Sequence, residues 1–451
     1  MLSLISRIAH AFDVDRAVLF GLLARIWSAG AGPLTALIIA ATFSPAVQGY
    51  YYTFLNLLAF QIVLELGLGS VITVFASHEW AKLKLDERGA ITGEPQALSR
   101  LASLARFALY WYGYVAAALA LGLAAIGIGF FTVSEQGKTV EWLAPWIALC
   151  GLTAVSVLTL PLWALLQGCG QIAQVNFFRL VDGVIKAAAL WMAMINGAGL
   201  WAIPASLAAS LIWTAAYFFI RYRGFVVSLL GFGVSARIAW RQEILPVQWR
   251  IGVSWISGYL MFALITPSLF YFQGPVIAGQ MGMTWAFVSG ITSLATPWLH
   301  AKTPRFGMLV ASKRYSELDR VVYSTTAITL LIATVGELCV LAVVAWINAV
   351  EHPFATRVLP LAPAAILALA ETLNLVSVAQ SSYLRAFKQE PFVFVSLICG
   401  TTVGASVIIF ARHYGPMWVV TAYLLGIAIA LAWGSVIFVR FRRGLYTNRP
   451  A

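Results

Sequence analysis

Six ionisable side chains stand inside long apolar runs of this sequence: Arg25, Glu65, Asp182, Lys186, Glu337 and Glu371. A charge is costly in hydrocarbon, so such groups normally face a protein interior or an aqueous cavity, where they pair, relay protons or hold ions. Asp182 and Lys186, in "VDGVIK", are four apart and share one face of a helix. They could act in a cavity, or merely neutralise each other and fix helix packing. Arg25 and Glu65 fall at similar depth in neighbouring runs and could pair across them. Glu371, in "LALAETLNLVSVAQ", has Asn374 one turn later and no local countercharge, which suits a cavity-lining or ion-coupling carboxylate. Glu337, in "TVGELCVL", reads equally as a satisfied interior carboxyl. Arg250 adds a cation at the edge of a further run.

Other chemistry is excluded by spacing. "SEQGKT" (134–139) ends like a phosphate loop, but Thr132 stands where that loop needs a glycine. His10, His78, His300, His352 and His413 form no zinc pattern, and Cys150, Cys169, Cys339 and Cys399 are far apart. Nothing reads as an enzyme's active site, and no cofactor is implied.

The runs themselves settle the solvent. The chain has 451 residues, 61% hydrophobic and 10% charged, with a mean hydropathy of +0.86. A soluble protein cannot hide that much apolar surface. The fold class expected is an all-α polytopic membrane protein of about 12 transmembrane helices. Each needs roughly 20 apolar residues. They fall near 17–43, 46–76, 107–131, 142–166, 175–196, 199–220, 250–273, 276–300, 322–349, 358–382, 391–412 and 416–439. With the N-terminus inside, 24 basic residues lie in cytoplasmic segments, and only Lys138, Arg357 and Arg412 lie outside. The positive-inside rule then places both termini in the cytoplasm. The net charge of +12 is spread over short loops, so nucleic acid is not expected as a partner. The opening "MLSLISRIAHAFDVDR" reads as an amphipathic surface helix rather than a cleaved signal.

The longest polar interruption lies mid-chain. It divides the sequence into an N-terminal segment (1–16), an N-lobe (17–220), a linker (221–249), a C-lobe (250–440) and a basic tail (441–451). Six spans per lobe make any repeat parallel. "SPAVQG" (44–49) echoes "GPVIAG" (274–279), and "LQGCGQ" (166–171) echoes "LRAFKQ" (384–389). Pro33, Pro161, Pro204, Pro267, Pro297 and Pro363 suggest kinked spans. "YYYTF" (50–54) and "YWYGY" (110–114) could stack on sugars or cationic drugs, or anchor spans at the interface.

"FSPAVQGYYYTFLNLLAFQIVLELGLGSVITVFASHE" (43–79) resembles the start of polysaccharide flippases of the multidrug/oligosaccharidyl-lipid/polysaccharide exporter superfamily. The resemblance rests on Pro45, Gly49 and Tyr50, on Glu65 to Leu68, and on "SSYLRAFKQEPF" (381–392). It implies a MATE-like pair of parallel-repeat six-helix lobes in a bacterial inner membrane. The implied cargo is an isoprenoid-diphosphate-linked oligosaccharide, with membrane lipids and other polysaccharide-export machinery as partners. Arg25, Glu65, Asp182, Lys186, Arg250 and Asn374 would face that cargo. Glu65, Asp182 and Glu371 would couple transport to H+ or Na+. So few cavity cations point to a neutral or weakly acidic glycan. Two other readings stand beside it: an ion-coupled drug or small-solute antiporter of the same fold, and a membrane glycan polymerase or transferase. Against the last count the short outer loops.

Overall fold

The computed structural model describes residues 16–447 apart from 88, 134–139, 234–239, 241–244 and 388–391. The N-terminal amphipathic segment, "SEQGKT" and most of the linker therefore lie outside the described residues, as does the Arg250 side chain.

The described chain is helical apart from one small hairpin. Span one is α1 (Arg16–Thr42). Span two is three pieces, α2 (Pro45–Leu58), α3 (Gln61–Glu65) and α4 (Leu68–Trp80). β1 (Leu83–Leu85) and β2 (Ile91–Gly93) pair antiparallel before α5 (Pro95–Val133). Then come α6 (Leu143–Gly168), α7 (Ile172–Ile195), α8 (Ala202–Arg221) and α9 (Arg223–Gly231). The second half runs α10 (Leu245–Phe262), α11 (Ile265–Gln273), α12 (Pro275–Ala311), α13 (Tyr315–Ala349), α14 (Leu361–Ala386), α15 (Val393–His413) and α16 (Pro416–Thr447).

Each expected span has its helix or broken helix. Eight helices are long and apolar enough to cross a membrane by composition alone, and the bent span two makes nine. The other three depart for visible reasons. α7 holds Arg179, Asp182 and Lys186, span seven is broken into α10 and α11, and α12 is rich in hydroxyls. Those hydroxyls are satisfied locally: Thr284, Thr292 and Thr296 each donate to a carbonyl three or four residues back.

The expected proline kinks are only partly realised. Pro204, Pro267 and Pro363 sit in the first turn of α8, α11 and α14, where a missing N–H costs nothing. Span two, bent by 45°, contains no proline at its bend.

The chain forms two compact units, one from within 1–31, 58–133 and 141–255, the other from 32–57 and 256–451. In the first, α5 packs on α6, α4 on both, and α8 on α6 and α7. In the second, α13 packs on α14, α12 on both, and α16 on α14 and α15. The same span pairings thus recur six spans later, as a parallel repeat requires.

Candidate functional site

Span two breaks at Leu66 and Gly67, whose φ angles are 50° and 68°. The left-handed region is ordinary for glycine but costs leucine about 1–3 kcal/mol. The break leaves the first N–H groups of α4 without helical acceptors. In hydrocarbon they cannot turn to water, so a side chain must accept them. Glu65 is the polar side chain placed there: its Oε1 accepts the Tyr112 hydroxyl from α5 at 2.9 Å and lies against Gly69, 3.1 Å from where a Cβ on that residue would stand. The carboxylate inside "LELGLG" thus ties the start of a broken helix to α5. It is not half of an ion pair: Arg25 makes no salt bridge with Glu65. The break changes the orientation of Glu65, which an unbroken span would have presented differently.

A test follows. Glu65→Leu leaves the buried Tyr112 hydroxyl without its acceptor and should lower thermal stability in detergent by about 1–3 kcal/mol. Glu65→Gln keeps one acceptor oxygen and should cost less than half as much. Equal losses would show that an acceptor for Tyr112 is not what the carboxylate supplies.

Asp182 and Lys186 do meet. Their salt bridge spans 2.8 Å, and Ser210 from α8 donates to Asp182 at 2.6 Å. The Asp182 side chain is 13% exposed and that of Lys186 44%. Removing the lysine alone strands a buried carboxylate, which costs more than removing both charges. Lys186→Met is expected to destabilise by about 1–2 kcal/mol, reduced from a fully buried pair by the lysine's exposure. Asp182→Asn/Lys186→Met together should restore part of it, as a double-mutant cycle of melting curves would show.

The second unit holds the more unusual arrangement. Glu337 on α13 and Glu371 on α14 are both buried, at 4% and 8% exposure. Thr372 donates to Glu337 Oε2, and Tyr423 from α16 donates to Glu371 Oε1 at 2.5 Å. Asn374, expected to face cargo, stands one helical turn from Glu371 on α14. The two carboxyls lie near enough to feel each other's charge. Glu337 Oε1 is buried with no hydrogen-bond partner. Two acid groups with an open acceptor oxygen are the arrangement that takes up a proton or a small cation. Among the described residues, no cluster of three or more metal-ligating side chains occurs.

Also within the second unit, α2 crosses α12 through the two echoing Pro-x-x-x-Gly stretches. A Cβ on Gly49 would stand 1.9 Å from the Pro275 carbonyl oxygen, and one on Gly279 would stand 3.0 Å from the Gly49 nitrogen. Only glycine allows this approach. Gln48, buried beside it, donates to the carbonyls of Gly279 and Arg357 at 2.8 and 2.9 Å. Burial pushes the Arg357 guanidinium down from its usual range. Tyr50, Tyr51 and Tyr52 are packed into this core rather than placed at an interface. In "YWYGY", Tyr110 and Tyr114 are exposed at 71% and 76%, while Tyr112 is the inward partner of Glu65.

No family model and no curated protein matches the sequence. Solved structures do. An inward-facing multidrug resistance MATE family transporter of the MOP superfamily is 14% identical over 96% of both chains, with a TM-score of 0.62. An outward-facing structure of such a transporter is 12% identical over 96% of this chain and 97% of that one, at 0.58. A MOP superfamily transporter from Pyrococcus furiosus, described as having a binding pocket of reverse polarity, is 13% identical over 95% of both chains, at 0.56. The chain has the MATE fold.

Proposed function

We propose that this chain is an alternating-access carrier that moves an isoprenoid-diphosphate-linked oligosaccharide from the inner to the outer leaflet of a bacterial inner membrane, for polysaccharide export. Similar folds are recorded both inward-facing and outward-facing. The cargo is argued from the flippase-like stretches at 43–79 and 381–392. The head group needs a carrier because its hydroxyls and phosphates would lose their water in hydrocarbon. A lateral opening between helices lets the isoprenoid tail stay in lipid meanwhile. The interior-negative potential favours outward movement of an anion by about 2.3 kcal/mol per charge per 100 mV.

The observation that carries the coupling part is the buried Glu337–Glu371 pair with its open acceptor oxygen. The same pair favours the second reading, an ion-coupled drug or small-solute antiporter, since coupling carboxylates serve either cargo. Multidrug transporters are among the structurally similar proteins. The scarcity of in-span cations, with Arg25, Arg179 and Lys186 among the described residues, also suits that reading.

The deciding experiment follows labelled isoprenoid-linked oligosaccharide in cells lacking the protein. Accumulation on the cytoplasmic leaflet, relieved by restoring the gene, is the expected result. Normal delivery to the outer leaflet, without a redundant carrier, would favour the antiporter.

A further inference from the structure

A cleft of about 230 Å³ opens within the second unit, between α12, α14, α15 and α16. His300, Asn374, Ser377, Gln380, Ser381 and Arg385 supply most of its polar lining. Most of these belong to one stripe of α14, from Asn374 to Arg385, about 16 Å at 1.5 Å per residue. Such a lining suits water, and the volume holds several water molecules. The charge bias places the Arg385 end of α14 in the cytoplasm.

Two details identify what the cleft would conduct. Its lining reaches Asn374, three residues and so one helical turn from Glu371 on the same α14, so the cleft ends one turn short of the carboxylate pair. Along it Gln380 Oε1 is buried without a hydrogen-bond partner, as is Glu337 Oε1 at the pair itself. Both are acceptors. Unfilled acceptors call for water protons or a cation and would repel an anionic head group. Arg385 is exposed at the mouth of the cleft, about 21 Å along α14 from Glu371, where solvent screens its charge.

We propose that this cleft is a water-filled passage carrying the coupling cation, H+ or Na+, between the cytoplasm and Glu371, apart from the route taken by cargo. The proposal rests on reading Glu371 as the coupling carboxylate. The titratable groups facing Glu371 are Glu337 from α13 and Tyr423 from α16.

The test uses single cysteines in the full chain, reconstituted in liposomes. Cys339 is exposed and is replaced by serine; Cys150, Cys169 and Cys399 are buried and serve as unreactive references. Ser377→Cys and Ser381→Cys are then exposed to a membrane-impermeant thiosulfonate from one face at a time. Both should react from the cytoplasmic face about tenfold faster than the buried thiols, since access governs thiol reactivity. Bound cation should slow Ser377→Cys. Slowing by Na+ at fixed pH identifies Na+, slowing by acid beyond the loss of thiolate that the Glu371→Gln background itself shows identifies H+, and Glu371→Gln should abolish the Na+ effect or that excess. Ser396→Cys, on the facing α15, repeats the measurement should an α14 variant fold poorly. Unreactive cysteines in folded protein, or rates indifferent to Na+ with the same pH profile in the Glu371→Gln background, would overturn the passage. A cation-sensitive passage in a protein that flips no glycan would overturn only the cargo reading. Normal flipping with an unreactive cleft would overturn only this one.

Discussion

Gly49→Ala is expected to force α2 and α12 apart. Its new methyl carbon would stand 1.9 Å from the Pro275 carbonyl oxygen, and backbone cannot swing aside as a side chain can. Overpacking in cores costs about 1–3 kcal/mol, and a clash against backbone belongs at the upper end. At 1.4 kcal/mol per decade, the crossed arrangement should lose roughly a hundredfold in population relative to one in which the helices part. Spin labels at Ser44 and Val276 report the separation directly. The parent should show one short distance and the variant a second, longer one. Gly30→Ala, which has nothing within 4 Å of its added carbon, is the matched control and should leave the distance unchanged. A short distance retained in Gly49→Ala would show that the crossing tolerates a wider spacing than the backbone implies.

The second large effect concerns Glu371→Gln. The amide keeps an acceptor for the Tyr423 hydroxyl while removing the charge that a coupling ion must neutralise. Stability should therefore change little. What should vanish is the advantage from an imposed H+ or Na+ gradient, a coupling free energy of about 1–3 kcal/mol, or 5- to 150-fold in rate. Flipping measured in liposomes with and without the gradient checks it. A variant still accelerated by the gradient would move the coupling role elsewhere, with Asp182 next in line.

Some of this was legible without coordinates. A run of about 20 apolar residues needs no knowledge of its neighbours, so the spans could be placed from sequence alone. The Asp182–Lys186 pair was legible for the same reason, being four apart on one helix. The partners of Glu65 and Glu371 were not: Tyr112 and Tyr423 lie 47 and 52 residues away, and nothing local marks them. The bend at Leu66 was hidden differently. Prolines announce themselves, but leucine has no habit of left-handed backbone, and only the flanking Gly67 and Gly69 gave a hint. The hairpin at Leu83–Gly93 went unforeseen because its strands are three residues each, too short for an alternating pattern. The serine-lined cleft escaped notice because hydroxyls within spans usually just bond their own helix.

The recurring span pairings carry a consequence for descent. A repeat whose copies enter the membrane in one direction can arise by simple end-to-end duplication, with no inverted partner needed at any stage. The half-length ancestor would have met a second copy of itself through the same Pro-x-x-x-Gly stretches that now cross as Gly49 and Gly279. Self-recognition between identical glycine motifs is easy to evolve, because each copy supplies the notch that the other requires. Fusion would then free the two notches to diverge, while Gly49 and Gly279 keep their close backbone approach within one unit.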